Sequence, residues 1–382
     1  MKICAIICEF NPFHNGHAYL IEQVRATGRF DGILCVMSGH FTQRGDRAVL
    51  DKFTRARHAV WGGADCVVEL PAPFATSPAP VFAEGAIKIA LSVPDVCAVA
   101  FGCEDMLDFK AIAGAALEEN RQFRQEIARR LADGESYAQS YSLALQKICG
   151  ANVNSPNNIL ALEYAKAVLK YRPEAELFPV KRAGAGYNDR ALGGTYASAS
   201  AIREHMGEAH IADYVPPFVA AELREDEAAD TRWEAIVKYA LAQTSAEQLA
   251  QVYGCGEGLA NKLKSLQRLK LCDIIAQATS RRYPSSRIRR ALTQNALKLT
   301  AEHIQKFLEG AGYIKPLAVK ADRADDILKA LAASPYPVVI TGSDVERLDG
   351  LNAQLYEASR FADDVWCAAA GRDVYDCTIV KC

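Results

Sequence analysis

EFNPFHNGHAYLI, residues 9–21, is the stretch whose reading decides the fold of this chain. It follows directly on KICAIIC (residues 2–8), an apolar run with the length of a buried strand. The chain leaves this strand, turns through Asn11-Pro12 and sets His14 and His17 around Asn15-Gly16. A helical pattern then runs from His17 to Thr27, with Leu20, Ile21 and Val24 on one face. A strand end, a glycine turn and a helix N-terminus make an anion site, because unpaired backbone N–H groups and the positive end of the helix dipole point to one place. A phosphate is the expected guest. Gly16 lets it approach the backbone, and the two imidazoles can stabilise charge growing on a phosphoryl group.

Outward from that turn the pattern repeats. GILCVM (residues 32–37) reads as a strand, Phe53 to Gly62 as a helix, ADCVVELP (residues 64–71) as a strand and VCAVAFGCE (residues 96–104) as a fourth. Helical tracts at 111–131 and 136–148 precede AELFPVKRAG (residues 175–184), the fifth strand. Such alternation predicts a Rossmann-like α/β domain with a parallel sheet, whose ligands bind beyond the carboxyl ends of the strands. YVPP (residues 214–217) breaks the texture, and a boundary near 205–217 divides a domain of residues 1–210 from a mainly helical region of residues 211–382. Within the latter, residues 312–331 and 336–343 read as strand, helix and strand, a small α/β element packed on the rest.

Composition sets limits. The chain has 382 residues, 50% hydrophobic and 24% charged, with a net charge of −2, so an anionic partner must be met by a local basic patch. No apolar run is long enough for a membrane span, Met1-Lys2 leads straight into the first strand, and a cytoplasmic location is expected. The twelve cysteines form no CxxC pair and read as buried apolar residues rather than as disulfides or a metal framework.

HxGH after an N-terminal strand resembles the signature of the nucleotidyltransferase superfamily. A second element of that superfamily holds the distal phosphates after the last strand. YASASAIREHM (residues 196–206) fits it, with Ser198 and Ser200 ahead of Arg203 at another helix start. EFNPFHNGH, VMSGHFTQRGDRA, ADCVVELP, FGCE, SPNNILALEY, VKRAGAGYND and ASASAIR, in this order over residues 9–203, narrow the resemblance to the tRNA(Met) cytidine acetate ligases, and RRYPSSRIRRAL and GYIKPLAV extend it. The chain departs from that family at Phe10, His40, Arg47 and Ser200. Of these, only His40 and Arg47 are expected where substrate is touched.

The resemblance implies a two-step reaction. Acetate attacks the α-phosphate of ATP, supplied with Mg2+, to give acetyl-adenylate and pyrophosphate. The acetyl group then passes to N4 of the wobble cytidine of elongator tRNA(Met), with no obligate protein partner. It makes His14 and His17 catalytic and residues 7–20 (Ile7, Cys8, Glu9, Phe10, Asn11, Pro12, Phe13, His14, Asn15, Gly16, His17, Ala18, Tyr19 and Leu20) the ATP loop. Gly102, Asn157 and Arg182 are further nucleotide contacts, with Lys181 a phosphate neighbour. Such chemistry needs positioning and charge neutralisation but no protein nucleophile. Gln43, Arg44 and Asp46 are assigned to acetate or cytidine handling, against the alternative of a plain Arg44–Asp46 loop salt bridge.

RRYPSSRIRR packs Arg281, Arg282, Arg287, Arg289 and Arg290 around Tyr283, and Lys262, Lys264, Arg268 and Lys270 lie just upstream. No acidic residue occurs between Asp273 and Glu302, so this segment is the expected tRNA contact. Two rival readings are a nucleotidyltransferase acting on a phosphorylated metabolite and a nucleotide- or RNA-binding module without chemistry. The basic helical extension argues against the first, and intact His14, His17 and Arg203 against the second.

Overall fold

The opening apolar run forms β1 (Ile3–Cys8), buried at every residue and flanked by strands on both sides in the sheet of a computed structural model. The structure describes residues 1–118, 121–135, 137–150, 153–182, 196–256, 258–373 and 379–382. The chain continues through α1 (Asn15–Ala26), β2 (Gly32–Ser38), α2 (Lys52–Trp61), β3 (Cys66–Leu70), α3 (Ala79–Ser92) and β4 (Val96–Cys103). After helices at Phe109–Leu117, Arg121–Ala132 and Tyr137–Cys149 come α4 (Pro156–Tyr171), β5 (Glu176–Lys181) and α5 (Ala199–Glu204).

Strands β5, β4, β1, β2 and β3 lie side by side and parallel. Side chains alternate between the two faces, so Ile3, Ala5 and Ile7 enter one apolar cluster while Cys4, Ile6 and Cys8 enter the other. That double burial is why β1 is apolar throughout rather than alternating. From β1 the chain moves outward to β2 and β3, then returns across the sheet to β4 on the other side of β1. The reversal opens a crevice at the carboxyl ends of β1 and β4, where open α/β sheets bind ligands.

Beyond residue 210 lie α6 (Glu227–Gln243), short helices at Ala246–Leu249, Leu259–Leu266 and Leu271–Ala278, and α7 (Ser285–Ala296). These enclose their own core of Leu241, Leu263, Ile274, Ile288 and Leu292. The strand expected near residues 313–319 forms as β6 (Pro316–Val319), but it belongs to the main sheet, antiparallel to β3. It covers the edge that β3 would otherwise expose, and β7 (Val380–Lys381) pairs with it in turn. YPVVITGS contributes only an isolated bridge, Ile314 with Val338, and the short helix Gly342–Glu346. The long α8 (Gly350–Ala370) then packs Val365 and Trp366 with Phe41, Leu297 and Leu299, joining both parts of the chain.

Candidate active site

One cavity occupies the crevice. The β1 end contributes Ile7, Cys8, Glu9, Phe10 and Asn11, and α1 contributes His14, Gly16, His17, Tyr19 and Leu20. Gly102 at the end of β4, Asn157 at the start of α4, Lys181 and Arg182 after β5, and Ser198, Ser200 and Arg203 of α5 complete the expected set. Pro12, Phe13, Asn15 and Ala18 of the expected loop do not line it. Asn15 instead anchors the turn, its side-chain amide donating to the Asp213 carbonyl at 2.9 Å. The Gly-rich loop after Arg182 falls outside the described residues.

The turn closes by reciprocal histidine bonds. His14 is the N-cap of α1, and its Nδ1 accepts from the Gly16 amide at 3.1 Å, while His17 Nδ1 accepts from the His14 amide at 3.3 Å. The expected unpaired N–H groups are therefore absent from this first turn. Asn15 N donates to Tyr214 O at 3.0 Å, and His17 N and Ala18 N donate to His14 O at 2.8 and 3.1 Å. With each Nδ1 accepting, each ring carries its proton on Nε2, and it is these N–H groups that serve as donors. The rings stack with centroids 3.6 Å apart, and His17 also meets Phe10 edge-on at 4.8 Å. Burial, with Arg182 and Arg203 nearby, lowers His14 to about 3, and burial together with His14 pushes His17 well below the ordinary histidine value. Both are neutral donors at pH 7.

Gly16 is short of a side chain for an internal reason. A Cβ there would sit 3.0 Å from His14 Cε1, so the glycine makes room for the imidazole itself. Gly102 does the same for Arg182, whose Cγ would lie 3.3 Å from an added Cβ. Arg203 donates to the Asn11 carbonyl at 2.6 Å and to Ser200 Oγ at 3.3 Å, and Arg44 reaches the same hydroxyl at 3.5 Å. Ser198 caps α5 through the Ala201 amide at 3.0 Å. Asn157 donates to Glu104 at 2.5 Å. Arg44, Lys181, Arg182 and Arg203 thus bring four cations to one cavity that also holds two neutral imidazoles.

Of the loop Thr42–Asp46, Gln43 and Arg44 line the cavity and Asp46 does not. Arg44 does not pair with Asp46. Asp46 pairs with Arg289 at 3.1 Å, Arg290 donates to the Gln43 carbonyl at 3.3 Å, and Thr293 donates to the Gly45 carbonyl at 2.6 Å. Gly45, at φ +80°, sits so close to α7 that an added Cβ would lie 2.5 Å from the Arg290 amide nitrogen. This α7 contact holds the loop whose Thr42, Gln43 and Arg44 line the cavity. The basic segment is therefore divided in role. Arg281 and Arg282 are exposed, Arg287 donates to the Gly254 carbonyl at 2.6 Å and lies over the buried Tyr283, and Arg289 and Arg290 grip the loop.

His40 and Arg47, expected beside substrate, do not line the cavity. His40 is buried, stacked on Trp366 and bonded to Asp363 at 2.7 Å, and Arg47 pairs with Asp230 at 2.8 Å. His40 belongs to a buried network in which Lys52 joins Glu69 at 2.7 Å and Asp363 at 2.5 Å. Burial alone would raise the Asp363 carboxyl, but Lys52 and His40 hold it well below the usual carboxylate range. Arg55 was not legible as a site residue. Fully buried, it donates to the carbonyls of Glu9 at 2.6 Å, Ser38 at 3.1 Å and Leu50 at 3.1 Å, fixing the ends of β1 and β2 together. In the string TRARHAV it looks like any helix-surface arginine. Tyr196, Tyr164 and Phe101 also line the cavity unannounced, because a lone aromatic carries no motif.

Comparison with known proteins adds three findings. The family model described as HIGH Nucleotidyl Transferase matches residues 1–374. A protein of Thermoanaerobacter sp. (strain X514) named tRNA(Met) cytidine acetate ligase is 33% identical over 388 residues, covering 97% of this chain and 96% of that protein. One of Listeria monocytogenes serotype 4b with the same name is 34% identical over 330 residues, covering 82% and 84%. Among solved structures, apo Thermotoga maritima TmcAL superposes with a TM-score of 0.90 at 25% identity, each chain covered completely. The same protein bound with alpha-thio ATP gives 0.87 at 24% identity.

Proposed function

The chain belongs to the tRNA(Met) cytidine acetate ligase family of HIGH nucleotidyl transferases, an ATP-dependent ligase family, and from this membership we propose the following reaction for it. Acetate displaces pyrophosphate from ATP in the β1–β4 cavity to form acetyl-adenylate, and the acetyl group passes to N4 of the wobble cytidine of elongator tRNA(Met).

The observation that carries this reading is the cavity's chemistry. Two neutral imidazoles with Nε2–H donors and four cations face one space, a set suited to a triphosphate whose charge shifts toward the departing pyrophosphate. Cys8, the one thiol among the described lining residues, donates to the Val36 carbonyl at 3.7 Å and is held protonated by burial, so it is no nucleophile. Acetate supplies the nucleophile. His14 and His17 then stabilise the phosphoryl group, while Arg44, Arg182 and Arg203 orient the phosphates.

Among the described residues, no group of three His, Cys, Asp or Glu side chains is placed to hold a metal. A Mg2+ ion would enter with ATP, held by its phosphate oxygens, and would supply charge neutralisation for the leaving pyrophosphate beside Arg44, Arg182 and Arg203. The exposed Arg281 and Arg282 position tRNA through its phosphates from the mainly helical region, residues 211–382, while the domain of residues 1–210 activates acetate. Among the described residues no helix is long and apolar enough to cross a membrane.

The experiment is to incubate the purified protein with ATP, labelled acetate and tRNA and to digest the tRNA to nucleosides. Label is expected in N4-acetylcytidine, with AMP and pyrophosphate formed in equal amounts. Release of ADP, or label confined to a small-molecule nucleotide, would overturn the assignment.

A further inference from the structure

Glu9 is the one carboxylate among the described residues that line the cavity. Its position is costly for ATP binding alone, because a negative charge beside a triphosphate repels it. Its hydrogen bonding does not account for it either. Oε1 accepts from the Gln43 amide at 2.6 Å, and among the described residues Glu9 forms no ion pair within 4 Å, although three arginines lie near enough to influence it.

The proton inventory of the two steps identifies a use. Acetate is already an anion at neutral pH and attacks phosphorus with no proton to lose. The second step differs. The cytidine amine must shed a proton when its nitrogen becomes an amide, and an exocyclic amine conjugated to its ring is a poor nucleophile without a base. The cavity has few groups able to take that proton. His14 and His17 have Nδ1 occupied by backbone amides and Nε2 protonated, Cys8 is a buried thiol, and Lys181 and the arginines are hydrogen-bond donors with no acceptor.

We propose that Glu9 marks the subsite for the acceptor amine and is the catalytic base of acetyl transfer. This inference rests on the acetate ligase reading given above. The N4 lone pair attacks the acetyl carbonyl carbon, the C–N bond forms, and the bond from that carbon to the adenylate oxygen breaks. AMP leaves with the electron pair, and the N4 proton passes to the Glu9 carboxylate. The Gln43 amide fixes one carboxylate oxygen and leaves the other for the amine. Burial raises Glu9 above the ordinary glutamate value, against the pull of Gln43, Arg203, Arg44 and Arg55, which brings its proton affinity nearer the working pH.

The test separates the half-reactions in Glu9→Gln, which keeps an acceptor for the Gln43 amide. Acetate-dependent pyrophosphate exchange, measured without tRNA, is expected to fall far less than transfer does, and its survival reports a folded ATP site. Transfer from preformed enzyme-bound acetyl-adenylate to tRNA is expected to fall by roughly 10²–10⁴-fold. Its loss of rate on acidification, present in wild type, is expected to disappear. Glu9→Asp is expected to transfer more slowly than wild type but to keep that acid limb. Normal transfer by Glu9→Gln overturns the proposal, and so does a parallel loss of exchange, which would make Glu9 a ligand of the nucleotide or of its Mg2+. A wild-type protein that acetylates no tRNA overturns the underlying reading instead.

Discussion

Gly45→Ala is expected to slow acetate activation about 100-fold although residue 45 does not line the cavity. An alanine at φ +80° costs roughly 1–2 kcal/mol in backbone strain. Its Cβ would lie 2.5 Å from Arg290 N, 2.6 Å from the Arg289 carbonyl carbon and 2.8 Å from Arg290 Cα, whereas ordinary contact begins at 3.4 Å. Those neighbours are helix backbone and cannot rotate aside. The loop must therefore retreat by 3.4 − 2.5 = 0.9 Å, carrying Arg44 away from Ser200. A misplacement of about 1 Å among positioning groups costs on the order of 10²-fold in rate, or about 2.7 kcal/mol. The assay is acetate-dependent exchange of labelled pyrophosphate into ATP, with thermal melting alongside, where a loss of only a few degrees is expected. A folded Gly45→Ala protein that exchanges within twofold of wild type would refute the reasoning, since the α7 contact would then not position the loop.

Three further outcomes follow from the same geometry. Because His14 is held at about 3 when folded and titrates near 6.5 when unfolded, the unfolded chain binds a proton that the folded one refuses between those values, so this contribution is complete above pH 6.5 and is lost on acidification. Urea titration from pH 7 to pH 5 should show about 2 kcal/mol less pH-dependent loss in His14→Asn than in wild type, and identical loss in both would contradict it. Lys52→Met leaves Glu69 and Asp363 buried with Lys315, at 3.6 and 3.9 Å, and His40, at 2.7 Å from Asp363, as the remaining partners, so denaturant unfolding should register a loss of roughly 3–5 kcal/mol, and a loss below about 1 kcal/mol would count against the network. Arg281→Ala with Arg282→Ala should weaken tRNA binding and reduce its salt slope by about 1–2 while pyrophosphate exchange is unchanged; lost exchange with retained binding would reverse the assignment.

What the sequence made legible follows how local each cause is. The buried strand and the HxGH turn rest on neighbours within twenty residues, so β1, α1 and the two histidines could be read directly, and the strand–helix alternation led to the parallel sheet. The membership of β6 in that sheet was hidden because its partner, β3, lies some 250 residues earlier. Asp46 misled for the same reason: Arg44 is adjacent in sequence, but Arg289 of α7 is adjacent in space. Composition also could not distinguish an arginine that binds a ligand from one that fixes backbone. Arg55, Arg289 and Arg290 all fix backbone or loop, although only Arg289 and Arg290 lie in a basic cluster. Gly16, legible as a cavity glycine, also makes room for the His14 ring, which only the folded turn reveals.

The most direct test of the central claim is acetate-dependent pyrophosphate exchange by wild-type protein and by His17→Ala in the absence of tRNA. The account predicts exchange that requires acetate and falls by two orders of magnitude or more, roughly 3 kcal/mol, in a folded His17→Ala protein. Exchange that proceeds without acetate, or that survives intact when His17 is removed, would contradict it.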